Sequence, residues 1–239
     1  MNTAVNQNKI EKKVSAIIVA AGTSSRMHGI DKQLLDIGGK PVIARAVFAF
    51  EKSEIINEIV IVTREDIIKN INGLVSKYGF TKVKAVVKGG DTRQKSVFNG
   101  IAVCSENSEY IAIHDGARPF VTQNIIKNTV EAAIKYGAAS AAITAKDTIK
   151  IADKNNKIIK TVDRNTVRLM QTPQVFKKEE YINAMNTVPN SELFTDDCQL
   201  LENYGKPVYV VESSPLNIKI TTREDIIFAE SVLRSEEND

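Results

Sequence analysis

Short apolar runs alternate with longer stretches of helical spacing as far as Thr144. "SAIIVA" (15–20), "EIVIVT" (58–63), "KVKAVVK" (82–88), "YIAIHD" (110–115) and "ASAAIT" (139–144) have strand length. Several are nearly unbroken in apolar character, as in strands covered on both faces. The segments between them repeat apolar residues every three or four positions. "KPVIARAVFAFEKS" places Ile43, Val47 and Phe50 on one helical face behind Pro41 at the first helical position. "REDIIKNINGLVSKYG" does the same with Ile67, Ile68, Ile71, Leu74 and Val75, and stops at Gly79. "TRQKSVFNGIAVC" and "TQNIIKNTVEAAIKYG" follow the same plan. The alternation predicts an α/β fold of parallel strands joined by crossover helices.

After Thr144 the pattern changes. "KDTIKIADKNNKIIKTVDR" (146–164) reads as two alternating strands around a polar turn, a hairpin. An irregular segment, "NTVRLMQTPQVF", comes next, then helices near 177–186 and 195–203, strands at 207–212 and 217–221, and a closing helix from Arg223. No internal repeat or low-complexity linker appears. The expected organisation is one domain over 14–234 that includes a β-arm at 145–172, with tails at 1–13 and 235–239.

Composition narrows the class. The 239 residues are 43% hydrophobic and 26% charged, enough for one sizeable core without disulfides or a structural metal. Cys104 and Cys198 lack metal-ligand spacing, and two histidines are too few for a dedicated cluster. A net charge of +3, from 32 basic against 29 acidic residues, is too balanced for a nucleic-acid footprint. "KIEKK" near the start is a charged tail, and the apolar run behind it is too short for a membrane span. The expectation is a soluble, cytoplasmic protein with no nucleic-acid or membrane partner.

Three loops carry candidate chemistry. In "AIIVAAGTSSRM" the first strand ends at Gly22, and Arg26 and Lys32 follow. The small residues Ala20, Ala21, Gly22, Thr23, Ser24 and Ser25 let backbone N–H groups approach an anion, and the two cations suit phosphates. The loop matches neither the dinucleotide fingerprint nor the P-loop, so a plain turn and a phosphate cradle both remain open. "KGGDTRQKS" is either a glycine turn capped by Asp91 or Thr92, or a second loop where Gly90, Asp91 and Ser96 meet a base or ribose. In "IAIHDGARPF", Asp115 ends an apolar run, where a carboxylate must be paired or bound to a cation. Arg118 is the pairing option and Mg²⁺ bridging nucleotide phosphates the other. Arg164 and Arg168 stand beside apolar and Thr-Pro residues. Lys219 sits among isoleucines in "NIKIT", where alternation puts it on a solvated strand face with Asn217 and Thr221.

In order and spacing, "AIIVAAGTSSRM…DKQLLDIGGKPVI", "KGGDTRQKSV", "IHDGARPF", "DTIK", "TVDRNTVRLMQTPQVF", "FTDD" and "NIKITTREDI" resemble the 2-C-methyl-D-erythritol 4-phosphate cytidylyltransferases. These belong to the sugar-phosphate nucleotidyltransferases, and the resemblance covers about residues 14–234. It implies a single Rossmann-like domain with a mostly parallel sheet flanked by helices, plus a β-hairpin arm. It also implies transfer of CMP from CTP to a polyol phosphate, methylerythritol 4-phosphate, with Mg²⁺ and release of pyrophosphate. Under this resemblance Arg26, Lys32 and Lys219 are catalytic. Residues 20–25 with Gly90, Asp91, Ser96 and Asp115 bind the nucleotide, and Asp115 also holds the metal. Arg118, Thr148, Arg164 and Thr195 bind the polyol phosphate. The arm implies a homodimer with shared active sites. Ribitol 5-phosphate is the rival acceptor, and a non-catalytic nucleotide-binding relative is the rival class.

Overall fold

In the computed structural model, residues 12–22, 31–187 and 194–236 are described. The strands are β1 (Val14–Ala20), β2 (Asp36–Ile37), β3 (Lys40–Pro41), β4 (Glu58–Thr63), β5 (Val83–Lys88), β6 (Tyr110–Asp115), β7 (Ala138–Thr144), β8 (Ile149–Ala152), β9 (Ile158–Val162), β10 (Arg168–Lys177) and β11 (Tyr209–Glu212). The helices are α1 (Val42–Glu51), α2 (Ile68–Tyr78), α3 (Arg93–Ile101), α4 (Gln123–Tyr136), α5 (Lys178–Thr187), α6 (Asp197–Asn203) and α7 (Arg223–Glu236).

Seven strands form one sheet in the order β11-β7-β10-β6-β1-β4-β5. β1 runs parallel to β4 and β6, β4 parallel to β5, and β11 parallel to β7. Only β10 is antiparallel to its neighbours, so the sheet is mostly parallel and the α/β expectation holds. β1 and β6 are buried almost throughout, which is why their sequences read as unbroken apolar runs. β5 is half-buried at the sheet edge and alternates Lys84 and Lys88 with valines. Helices on both faces complete two apolar clusters. One packs Phe50, Ile43 and Ile71 against β1 and β4, and the other packs Val97, Phe176 and Tyr181 against the opposite face. Each such large side chain contributes roughly 2–3 kcal/mol by leaving water.

Several helix ends follow from local chemistry. Thr92 and Thr122 cap α3 and α4 by accepting from Lys95 N and Ile125 N. α2 ends where Gly79 takes φ +64°, as its glycine foretold.

Two expectations require correction. "NTVRLMQTPQVF" is not irregular: it contributes most of β10, which lies between β6 and β7. Proline is normally excluded from an inner strand. Here Pro173 falls in the register shift between Met170 and Gln174, after a cis Thr172–Pro173 bond, so no ladder donor is required of it. Conversely, 217–221 is not a strand but a strap: Arg118 donates to Asn217 O, and Ile220 N donates to Ala117 O. The hairpin is present as β8 and β9, which among the described residues pair only with each other. No described helix is long and apolar enough to cross a membrane.

Candidate active site

β1, β4, β5 and β6 end along one edge of the sheet, and the chain reverses its direction of winding between β1 and β6. Open α/β sheets bind ligands at this edge, where diverging crossovers leave a crevice. A cleft of about 540 Å³ opens there. Ala21 and Gly22 line it from the end of β1, Gly89 to Thr92 from the loop after β5, and Asp115 from the end of β6. Lys32, Arg64, Lys88, Arg93 and Lys219 also face it, giving the cleft a strong positive bias.

Asp115 is the electrostatic centre. Its carboxylate is almost buried, with Lys219 Nζ 2.9 Å and Arg118 Nε 3.5 Å from Oδ2, and Arg93 Nη2 3.6 Å from Oδ1. Burial alone would raise its pKa, but Lys219, Arg93 and Arg118 hold it well below the usual carboxylate range. The carboxylate is therefore ionised, and the surrounding cations exceed what it can neutralise. An anionic ligand would balance the remainder. Of the two sequence options for Asp115, the structure displays the pairing with Arg118.

The glycine loop is packed by necessity. A Cβ on Gly89 would lie 2.5 Å from Ala21 Cβ and 2.8 Å from Ser96 Oγ, and one on Gly90 would collide with Lys95. Ser96 is buried; its Oγ accepts from Gly90 N at 3.1 Å and donates to Thr92 O at 2.9 Å. It shapes the loop, while Asp91 stands at the exposed rim 3.5 Å from Lys95. Thr92 makes the cap, so Asp91 does not.

The other candidates separate into groups. Ala20 is buried at the end of β1, with its carbonyl accepting from Thr63 Oγ1. Thr23, Ser24, Ser25 and Arg26 lie outside the described residues. Thr195 is exposed at the approach to α6, with Oγ1 3.2 Å from Gln199 Oε1. Thr148 and Arg164 sit on or beside the arm, and neither lines the Asp115 cleft. Arg164 instead donates to Lys146 O at 2.8 Å and borders a separate cavity with Thr144, Glu212 and Pro215.

Arg93 and Arg64 were not singled out in the sequence. Arg93 bridges Asp115 to buried Asp197, whose other oxygen accepts from Tyr181 OH at 2.8 Å. A cation in the first turn of a helix opposes the helix dipole, so an arginine there signals an acidic partner elsewhere. Arg64 donates to Gly22 O at 3.1 Å and pairs with Asp31, linking the two points that flank residues 23–30 in the chain. Nothing in its local sequence foretells that.

Fold and cleft define an α/β protein with a cation-lined cleft at the carboxyl edge of its sheet. A family model described as IspD, 2-C-methyl-D-erythritol 4-phosphate cytidylyltransferase, matches residues 14–235. A 2-C-methyl-D-erythritol 4-phosphate cytidylyltransferase of Clostridium botulinum (strain Langeland) is 44% identical, over 92% of this chain and 97% of that protein. One from Caldanaerobacter subterraneus subsp. tengcongensis is 45% identical, over 92% and 99%. Among solved structures, the 4-diphosphocytidyl-2C-methyl-D-erythritol synthase of Anaerococcus prevotii superposes with a TM-score of 0.85 at 34% identity, covering 94% of this chain and 97% of that one. The chain belongs to the 2-C-methyl-D-erythritol 4-phosphate cytidylyltransferase family.

Proposed function

We propose that this protein transfers CMP from CTP to 2-C-methyl-D-erythritol 4-phosphate in the cytoplasm, releasing pyrophosphate. Family membership supports the reaction. The observation that carries the site is the ionised, buried Asp115 ringed by Lys219, Arg118 and Arg93 at the end of β6.

A phosphate oxygen of the acceptor attacks the α-phosphorus of CTP, a new P–O bond forms, and the bond to the β-phosphate oxygen breaks. A phosphate monoester is largely ionised near neutral pH, so the attack needs no strong general base. Its barrier lies in bringing two polyanions together and in charge growing on the departing pyrophosphate. Lys219 and Lys32 offset that charge from within the cleft, joined in this reading by Arg26. Ala21, Gly22 and the loop at Gly89–Gly90 supply small residues against which phosphates and the nucleoside can lie closely. Ser96 keeps the second loop in shape from behind.

Asp115 suits a divalent cation that arrives with the nucleotide. Oδ1 lies 3.6 Å from Arg93 Nη2, beyond hydrogen-bond length, and could serve as one ligand. No cluster of three or more His, Cys, Asp or Glu residues able to hold a metal occurs among the described residues, so phosphate oxygens would complete the coordination. Bound there, Mg²⁺ would help neutralise the phosphate charge.

We also propose a homodimer through the arm. Ile158 and Ile159 are 59% and 62% exposed on a hairpin that pairs with no other strand, and Leu169 and Met170 are exposed at its base. An isolated two-stranded hairpin is marginal in water, and covering these side chains would stabilise it. Thr148 and Arg164, absent from their own chain's cleft, would then serve the partner's. The test of function is pyrophosphate release from CTP and Mg²⁺, comparing methylerythritol 4-phosphate with ribitol 5-phosphate. Preference for the first is expected, and preference for ribitol 5-phosphate would overturn the substrate assignment.

A further inference from the structure

Beneath Asp115 lies a buried polar chain, His114 and Thr172, that does not line the cleft. His114 and Thr172 are buried, the imidazole packed 4.9 Å from the Phe50 ring. Asp115 N donates to Thr172 Oγ1 at 3.1 Å, Thr172 Oγ1 lies 2.9 Å from His114 Nδ1, and His114 Nε2 lies 3.1 Å from Arg118 O.

The two ends of this chain fix its direction. A carbonyl can only accept, so Nε2 must carry a proton to bond Arg118 O. A backbone N–H can only donate, so Thr172 Oγ1 accepts from Asp115. The hydroxyl proton of Thr172 then has one good destination, the lone pair of Nδ1. A second proton on the imidazole would put N–H against O–H and leave the buried hydroxyl proton without an acceptor.

The same threonine reaches the third charged group. Its carbonyl accepts from Asn217 Nδ2 at 2.9 Å, and Asn217 O accepts from Arg118 Nη1 at 2.8 Å. Asn217 is two residues before Lys219. The turn from Asp115 to Arg118 and the strap bearing Lys219 are therefore tied to one buried residue.

We propose that His114 and Thr172 are positioning residues: one directional hydrogen-bond chain, with His114 as the Nε2–H tautomer, holds Asp115 and Arg118 in register with Lys219. Neither residue lines the cleft. They set the relative placement of three charges, and a displacement of about 1 Å at a reacting centre can cost about 10²-fold in rate. The kinetic half of this proposal rests on the cytidylyltransferase reading, and the tautomer does not.

Two measurements decide it. Long-range ¹H–¹⁵N NMR of the full chain reads the tautomer without substrate; of the two histidines, His28→Gln identifies the other set of signals. A neutral Nε2–H ring at pH 7 is expected, and an Nδ1–H or doubly protonated ring would overturn the proposal. In the kinetic arm, Thr172→Val keeps the side-chain shape and removes both bonds, whereas Thr172→Ser keeps the hydroxyl. Thr172→Val should lower kcat by about 10²-fold with KM for CTP within about threefold, and Thr172→Ser should recover most of the loss. Equal kcat in the two variants, or a loss explained by melting alone, would overturn it. If Thr172→Val fails to fold, the wild-type tautomer decides. A wild-type protein that releases no pyrophosphate would count against the functional reading, while the tautomer would still be decided by NMR.

Discussion

Lys219→Ala should separate catalysis from folding. The ammonium lies 2.9 Å from Asp115 Oδ2, with its side chain 39% exposed at the mouth of the cleft. Removing it leaves Asp115 with two guanidinium partners, at 3.5 and 3.6 Å, so the carboxylate stays paired and the fold should persist. The lost interaction is with charge that develops on transferring phosphate. A unit charge at about 4 Å is worth about 4 kcal/mol at an effective dielectric of ~20, and partial exposure reduces this to about 3 kcal/mol. The corresponding fall in kcat/KM is about 10²-fold. Steady-state pyrophosphate release gives the rate, and thermal unfolding by circular dichroism gives the stability. A kcat/KM within about threefold of wild type would refute the role of Lys219 in transition-state stabilisation. So would a loss that disappears once the unfolded fraction is removed by cooling.

Lys32→Ala and Arg26→Ala should each lower kcat/KM by at least about 10²-fold with unchanged melting; near-wild-type turnover in either would remove it from the triphosphate site. Ile159→Asp should yield folded monomers by light scattering, with little turnover if the arm serves the partner's cleft; an intact dimer would show that the arm is not the interface. In acid, His114 should report through stability. Burial, reinforced by the charges of Arg118 and Lys219, lowers its pKa from 6.5 to about 4, while the Arg118 carbonyl and Asp115 partly offset it. The unfolded chain thus binds the proton first, so this contribution is complete above pH 6.5 and is lost as pH falls towards 4. The loss is about 2 kcal/mol by pH 5 and about 3 kcal/mol in full, readable by urea unfolding across that window. Removal of that pH dependence in His114→Asn would confirm the source, and an unchanged slope would exclude it.

The parallel part of the sheet was legible because buried strands need unbroken apolar runs, and β1, β4 and β6 begin and end within one residue of theirs. Asp115 was legible for the opposite reason: a carboxylate after such a run has to be matched by charge. β10 was hidden by Pro173, whose place in a register shift depends on partners far along the chain. Lys219 was placed on a solvated strand face because alternation is a local rule. Its segment is held instead by long-range bonds from Arg118 and to Ala117. Arg93 was quoted within a loop motif but read only as helix start, since its partners Asp115 and Asp197 come together only in the folded chain. Thr148 and Arg164 stand apart from their own chain's cleft, and the family resemblance assigns them to a shared site across a homodimer, which a single chain does not display.

Ser96, the buried hydroxyl nearest the glycine loop, is committed to Gly90 and Thr92, and neither cysteine lines the cleft. Neither Ser96 nor either cysteine is therefore poised to form a covalent intermediate. Direct transfer within the cleft is tested most directly by the stereochemistry at phosphorus, using CTP with a chiral α-thiophosphate and methylerythritol 4-phosphate as acceptor. A single in-line displacement predicts a product with inverted configuration at the α-phosphorus. Retention would require two displacements through an enzyme-bound nucleotide and would contradict the mechanism.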